Sequence, residues 1–139
     1  MAKPDIELSF TNRSAVVANI FAADKVMQEA IRNQMKKSGE QERDLAKEFA
    51  PIGETGVLRD SIVVEFSPDF LVYEVTSDPS LFPDRYYAPY VEFGTYLSPA
   101  QPFLRPAHDV MVPIVREDIS KQIRASLDRN ERRVERQSA

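Results

Sequence analysis

An α+β domain is predicted by three observations. Apolar residues recur at helical spacing towards both ends of the chain. Two short β-rich runs flank a Ser-Pro-Asp gap in the middle. A proline-broken, aromatic stretch, Tyr86 to Pro106, separates those runs from the last helical segment. The 139 residues make one domain by length. We place it at 1–127, with 128–139 as a polar helix end or tail.

Taken in order, Ile6, Leu8 and Phe10 alternate with Glu7 and Ser9, and period two predicts a short strand with one apolar face. The period then lengthens. Val17, Ile20, Phe21, Met27, Ile31 and Met35 follow at three-, four- and seven-residue steps, the mark of an amphipathic helix. Asn12 or Ser14 can cap it, Leu45 and Phe49 extend it, and Pro51 with Gly53 end it. One helix from about Ser14 to Ala50 is expected, bent near Gly39, which weakens a helix by roughly 1 kcal/mol relative to alanine. Two helices broken at Ser38-Gly39 fit the residues as well.

Thr55 can cap a short helical turn that puts Leu58 and Ile62 on one side and Arg59 and Asp60 elsewhere. Ile62–Phe66 and Leu71–Val75 then read as the strands of a hairpin, because Ser67-Pro68-Asp69 has turn chemistry. SDPSLFPDR is a loop on composition. The final helix carries Ala107, Met111, Val115, Ile119, Ile123 and Leu127 at four-residue steps. Pro113 interrupts it, so the helix either bends there or starts later than Pro106.

Tyr86 to Pro106 links sheet to helix. Four aromatics fall in its first eight residues, and Pro89, Pro99, Pro102 and Pro106 each fix φ and remove a donor. Tyr86 to Phe93 has room for a helical turn or two, with Pro89 tolerable only in the first. A segment so apolar and irregular must lie against something, and exposed aromatic patches usually mark a partner surface. The reading is a rigid aromatic elbow that contributes to a subunit contact.

Two motifs in these segments carry a resemblance. One is Thr55-Gly56-x-Leu58-Arg59-x-Ser61-Ile62, after a helix that ends in Ala50-Pro51. The other, more specific, is Tyr87-Ala88-x-Tyr90-Val91-Glu92-Phe93-Gly94-Thr95, followed by Gln101-Pro102-Phe103-Leu104-Arg105-Pro106-Ala107. In order and separation they resemble the tail-component, or neck, proteins of long-tailed bacteriophages, over nearly the whole chain. Ala100 departs from the residue type common before Gln101. The resemblance implies a long N-terminal helix and a C-terminal helix packed on a small antiparallel sheet, the hairpin plus the N-terminal strand. It implies a virion structural protein of the head-to-tail interface, assembled in the host cytoplasm, with no enzyme activity and no cofactor. Its implied partners are further copies in a six- or twelve-fold ring, neighbouring connector or head-closure and tail-terminator or tail-tube proteins, and DNA passing through without sequence reading.

Glu92 is expected to pair with Arg59 or Arg105 and pin the elbow to the hairpin; a solvated glutamate is the plain alternative. Gly94 is expected at a positive-φ turn. Phe103 and Leu104 suit the core, and Tyr86, Tyr87 and Tyr90 suit an interface, since tyrosine tolerates a half-wet site. Phe93, Thr95, Pro102, Arg105 and Pro106 complete the expected elbow surface, supported by Thr55, Gly56, Leu58, Arg59, Ser61 and Ile62.

Other classes find less support. With no cysteine there is neither a disulfide framework nor thiolate chemistry. The first residues lack a signal peptide's pattern, and no apolar run nears the roughly 20 residues that span a bilayer. Cytoplasmic synthesis, with no membrane partner, is expected. The single histidine, His108, comes without a nucleophile elbow, paired metal ligands or a phosphate loop. A net charge of −4 argues against a general nucleic-acid binder. The remaining alternative is a small DNA-binding protein using Arg124, Arg129, Arg132, Arg133 and Arg136, diluted by Asp128, Glu131 and Glu135.

Overall fold

A computed structural model describes residues 24–53 and 56–138. The strand expected at Ile6–Phe10, the helix start at Ser14 and the cap at Thr55 lie outside them. Helix α1 covers Lys25–Phe49. Asp24 caps it with extended backbone, at φ −112° and ψ 95°, and accepts the Met27 amide at 2.9 Å, so the single helix expected from about Ser14 does not run through this position. It stops where Ala50 turns extended ahead of Pro51.

The helix passes Gly39 unbroken. Gly39 is buried, and a Cβ there would lie 2.9 Å from Phe66 Cε1 and 3.0 Å from Val64 Cγ2. The missing side chain therefore lets the sheet approach the helix closely. That gain in packing offsets the weak helical propensity.

Gly56, at φ 65°, introduces a single turn, α2, over Val57–Asp60. Strand β1, Ile62–Phe66, pairs antiparallel with β2, Tyr73–Ser77, and Val64 faces Val75. β2 therefore starts two residues later than the sequence suggests. The cause is a longer turn. Asp69 accepts from the Ser67 hydroxyl and the Leu71 amide, Phe70 takes φ 58°, and the Ser67 amide closes on the Val72 carbonyl. Arg32 donates to the Asp69 carbonyl at 3.1 Å, and the Lys36 ammonium sits 4.1 Å over the Phe70 ring, so α1 holds the turn. Ile62, Val64, Phe66, Tyr73, Val75 and Ser77 share the face towards α1; Glu65 and Glu74 face water.

A 3₁₀ turn at Pro79–Leu81 leads to α3, Ala88–Phe93, and then to α4, Leu104–Ser138. α4 starts before Pro106, whose missing donor is harmless in a first turn, and runs through Pro113. The carbonyl that Pro113 leaves without its helical donor belongs to exposed Asp109, within reach of water. α4 lies antiparallel to α1: Ser126 meets Asp24, Gln34 reaches Asp118 at 3.1 Å, and His108 reaches Glu42 at 3.1 Å. Leu127 falls off the expected apolar stripe and is exposed; Ser126 is the buried residue there.

The core sits at one end of this pair. Ala46, Ala50 and Ala107 bring the helices close, and Leu58, Ile62, Phe82 and Phe103 fill the space beside them. Phe82 comes from the stretch read as a plain loop.

Candidate interface site

The elbow is built on Glu92. Its Oε2 accepts the amides of Phe103 and Leu104 at 2.8 and 3.0 Å, and its Oε1 accepts the Arg105 amide at 3.0 Å. These are donors that open α4, and a helix start has no partners of its own for them. The positive end of the helix dipole favours a carboxylate at that place. No ion pair joins Glu92 to Arg59 or Arg105 among the described residues; both arginines are exposed. The expected arginine partner is thus replaced by backbone, which side-chain pairing rules do not show.

Beyond Glu92 the chain reverses. Gly94 takes φ 75° and ψ 173°, as expected of a turn glycine. A Cβ there would lie 2.6 Å from the Ala100 backbone nitrogen, so the returning chain occupies the glycine's own space. Thr95 closes the loop: its hydroxyl accepts the amides of Leu97 and Ser98, and its own amide donates to the Ser98 carbonyl at 2.9 Å. The Gln101 amide bonds the Val91 carbonyl at 2.8 Å and ties the loop to α3. Phe103, fully buried, anchors the far side of the elbow in the core.

A rigid loop therefore presents bare apolar groups. Phe93 is 81% exposed, Tyr96 96% and Leu97 77%, with Tyr90 beside them. Pro102, Thr95 and Arg105 are exposed as well, whereas Pro106 is half-buried. Tyr86 and Tyr87 differ from Tyr90. Both pack edge-on against Phe82, at 5.1 and 5.0 Å between centroids, so most of their ring surface is used within the chain. Tyr96 and Leu97, which motif reasoning passed over, are more prominent than either.

The supporting motif lies beneath. Leu58 and Ile62 are core residues, and the buried Ser61 hydroxyl donates to the Leu58 carbonyl at 2.6 Å and meets Ser77 Oγ at 2.7 Å. His108 bonds elsewhere. It pairs with buried Glu42, which also accepts the Tyr73 hydroxyl at 2.7 Å. Burial first, then the Glu42 bond, pushes the Tyr73 phenol well above its ordinary value. Glu42 carries this polar cluster, yet its place in an amphipathic helix gave no sign of burial. Among the described residues no group of His, Asp and Glu could hold a metal ion, and no helix is long and apolar enough to cross a membrane.

Compared with known proteins, residues 15–94 match the family described as "Bacteriophage HK97-gp10, putative tail-component". No curated protein and no solved structure matches.

Proposed function

Because this chain belongs to the HK97-gp10-like family of bacteriophage tail components, and so to the virion, we propose that it acts at the head-to-tail interface. In this reading it is a structural protein that assembles into a ring, not an enzyme. Copies dock side by side through the elbow, and the ring's two rims meet connector or head-closure proteins on one side and tail-terminator or tail-tube proteins on the other. The observation that carries this is the exposed Phe93-Tyr96-Leu97 surface on a backbone held by Glu92 and Gly94. A monomer gains nothing from fixing three bare apolar side chains in water, whereas an interface gains the ordering in advance. Closed rings need head-to-tail contacts whose rotation closes.

The experiment is complementation of phage lacking this protein, viewed by negative stain. Heads and tails are expected to accumulate unjoined. Wild-type chain restores particles, and Tyr96→Ser with Leu97→Ser does not, although its melting temperature is unchanged. Complete infectious particles without the protein overturn the role.

A second reading concerns DNA. Arg129, Arg132, Arg133 and Arg136 are adjacent and share one side of α4, at spacings of three and four. Asp128 stands four residues before Arg132 and Glu135 three after it, so the acidic residues border one edge of this stripe. Such a stripe suits phosphate contact inside a ring. It predicts that Arg132→Glu with Arg133→Glu leaves ring assembly intact and slows DNA passage.

A further inference from the structure

The end of α4 runs past the start of its partner helix. Ser126 meets Asp24, the residue that caps α1, and every described side chain from Leu127 to Ser138 is exposed. These residues carry α4 about 18 Å further, at 1.5 Å per residue. A helix that is polar all round owes its stability to side-chain pairs three and four residues apart, or to a bound partner. Here the pairs work against it. Like charges stand at those spacings in Arg129–Arg132, Arg133–Arg136, Arg129–Arg133 and Arg132–Arg136, and again in Asp128–Glu131 and Glu131–Glu135. Between Asp128 and Arg136, opposite charges stand so in Asp128–Arg132 and Arg132–Glu135 alone. A like pair weakens a helix about as much as an opposite pair strengthens it.

What the arrangement loses in helix stability it gains in charge density. Arg129, Arg132, Arg133 and Arg136 line one hollow of about 420 Å³ with Gln137. Among the described residues no ion pair joins any of the four to a carboxylate. From Arg129 to Arg136 the stripe runs about 10 Å along the axis, a length over which duplex DNA carries about six phosphate charges. Guanidinium forks match phosphate oxygens in geometry as well as sign. Protein surfaces, by contrast, intersperse both signs.

We propose that residues 127–138 form an arm whose helix is completed by nucleic-acid phosphate. A duplex backbone laid on the arginine face neutralises it, removes the repulsion along it, and raises the helical order of the arm. The proposal rests on the DNA reading of α4 and adds to it a coupling between contact and folding. In a ring, such arms are more ordered around DNA than around an empty channel.

The test uses the full chain and a short duplex of random sequence. Amide exchange across residues 131–138, whose amides bond carbonyls within the arm, is expected to slow several-fold at saturating duplex. Affinity should fall with salt at a log–log slope of about −3 to −4, as four phosphate contacts require. The deciding variant keeps composition and net charge. Glu131→Arg with Arg133→Glu interrupts the stripe and turns the pairs 128–131, 129–133, 131–135 and 133–136 from like to opposite. Without DNA its arm should exchange more slowly than wild type. It should bind the duplex more weakly, with a slope shallower by about 1, and gain less protection. Unchanged exchange in the wild-type arm at saturation overturns the coupling and leaves phosphate contact standing. So does a variant that binds and gains protection as the wild type does, since charge alone then suffices. Equal protection of the wild-type arm by polyglutamate at matched charge overturns the choice of nucleic acid and assigns the arm to anionic polymers in general. No binding of the duplex at low salt sinks the DNA reading itself.

Discussion

The two ends of the α1–α4 pair are held together by different physics. At one end Ala46, Ala50 and Ala107 bring the backbones close around Phe103, Phe82 and Ile62, and the elbow is clamped to that core through Glu92. At the other end Met27 and Ile31 are the buried apolar residues of α1, and the partners across the pair are polar: Asp24 with Ser126, Gln34 with Asp118. The first end is fixed by volume and by backbone donors that have nowhere else to go. The second is fixed by side-chain hydrogen bonds that water can replace. A protein that must present a rigid docking loop has concentrated its packing where that loop is attached.

The sharpest way to break this contrast is Phe103→Ala. It empties a fully buried site and should lower stability by about 3–5 kcal/mol, read by urea unfolding. A loss below about 1 kcal/mol would mean that the elbow end is not the packed end. Gly94→Ala comes next. The backbone conformation there is one that only glycine adopts readily, and the Ala100 nitrogen blocks the new methyl, so a loss of about 2–3 kcal/mol is expected. Amide exchange should rise first at Thr95 and Ser98, and unchanged exchange there would contradict the assigned turn.

Glu92→Ala should follow, at about 1–3 kcal/mol, because three amides at the start of α4 lose their acceptor together. The informative partner is Arg105→Ala. If the carboxylate serves backbone donors, removing this arginine leaves stability within about 0.5 kcal/mol of wild type. Equal losses for the two variants would restore the arginine pair that the sequence suggested.

That pair shows where sequence reading stops. Residue identity draws attention to Glu92, but a carboxylate among aromatics suggests a charged side chain as partner, and free amides of a helix start leave no trace in residue identity. Gly94 and the hairpin were legible because turn chemistry is local: positive φ and Pro-Asp signals act over three or four residues. Gly39 was misread for the opposite reason. Propensity marks it as a weak point, and only the approach of Phe66 and Val64 makes it a packing site. β2 slipped by two residues because Phe70, an aromatic with a strand preference, takes the left-handed position in the turn. Phe82 was hidden by its setting, since a lone aromatic between prolines has no period to betray burial. The tip of the elbow is the part that the sequence does not mark. The motif drew the eye to Tyr86 and Tyr87, while Tyr96 and Leu97 sit between the two motif blocks and are the residues left bare.

The smallest effect belongs to the far end and tests its polar character by pH. The Ser126 hydroxyl, then the Met27 amide, hold the Asp24 carboxyl below its ordinary value. A lowered carboxyl contributes stability that is present above its unfolded value, about 3.9, and is lost as pH falls through the lower folded value. Asp69 and Asp78 shift the same way through Ser67 and Ser80, so a global acid titration mixes three groups. A site-resolved measurement is needed: amide exchange in the first turn of α1, from about pH 5 to below pH 3, corrected for the intrinsic rate. Protection at Met27 should fall through that window in the wild type. In Asp24→Asn it should be weaker at the outset and flat, because the amide side chain still caps but does not titrate. A parallel loss at Ala50, whose amide bonds the Ala46 carbonyl in the core of the elbow end and meets no carboxylate, would show the two ends coupled as one unit, and would remove the distinction on which the ordering of these effects depends.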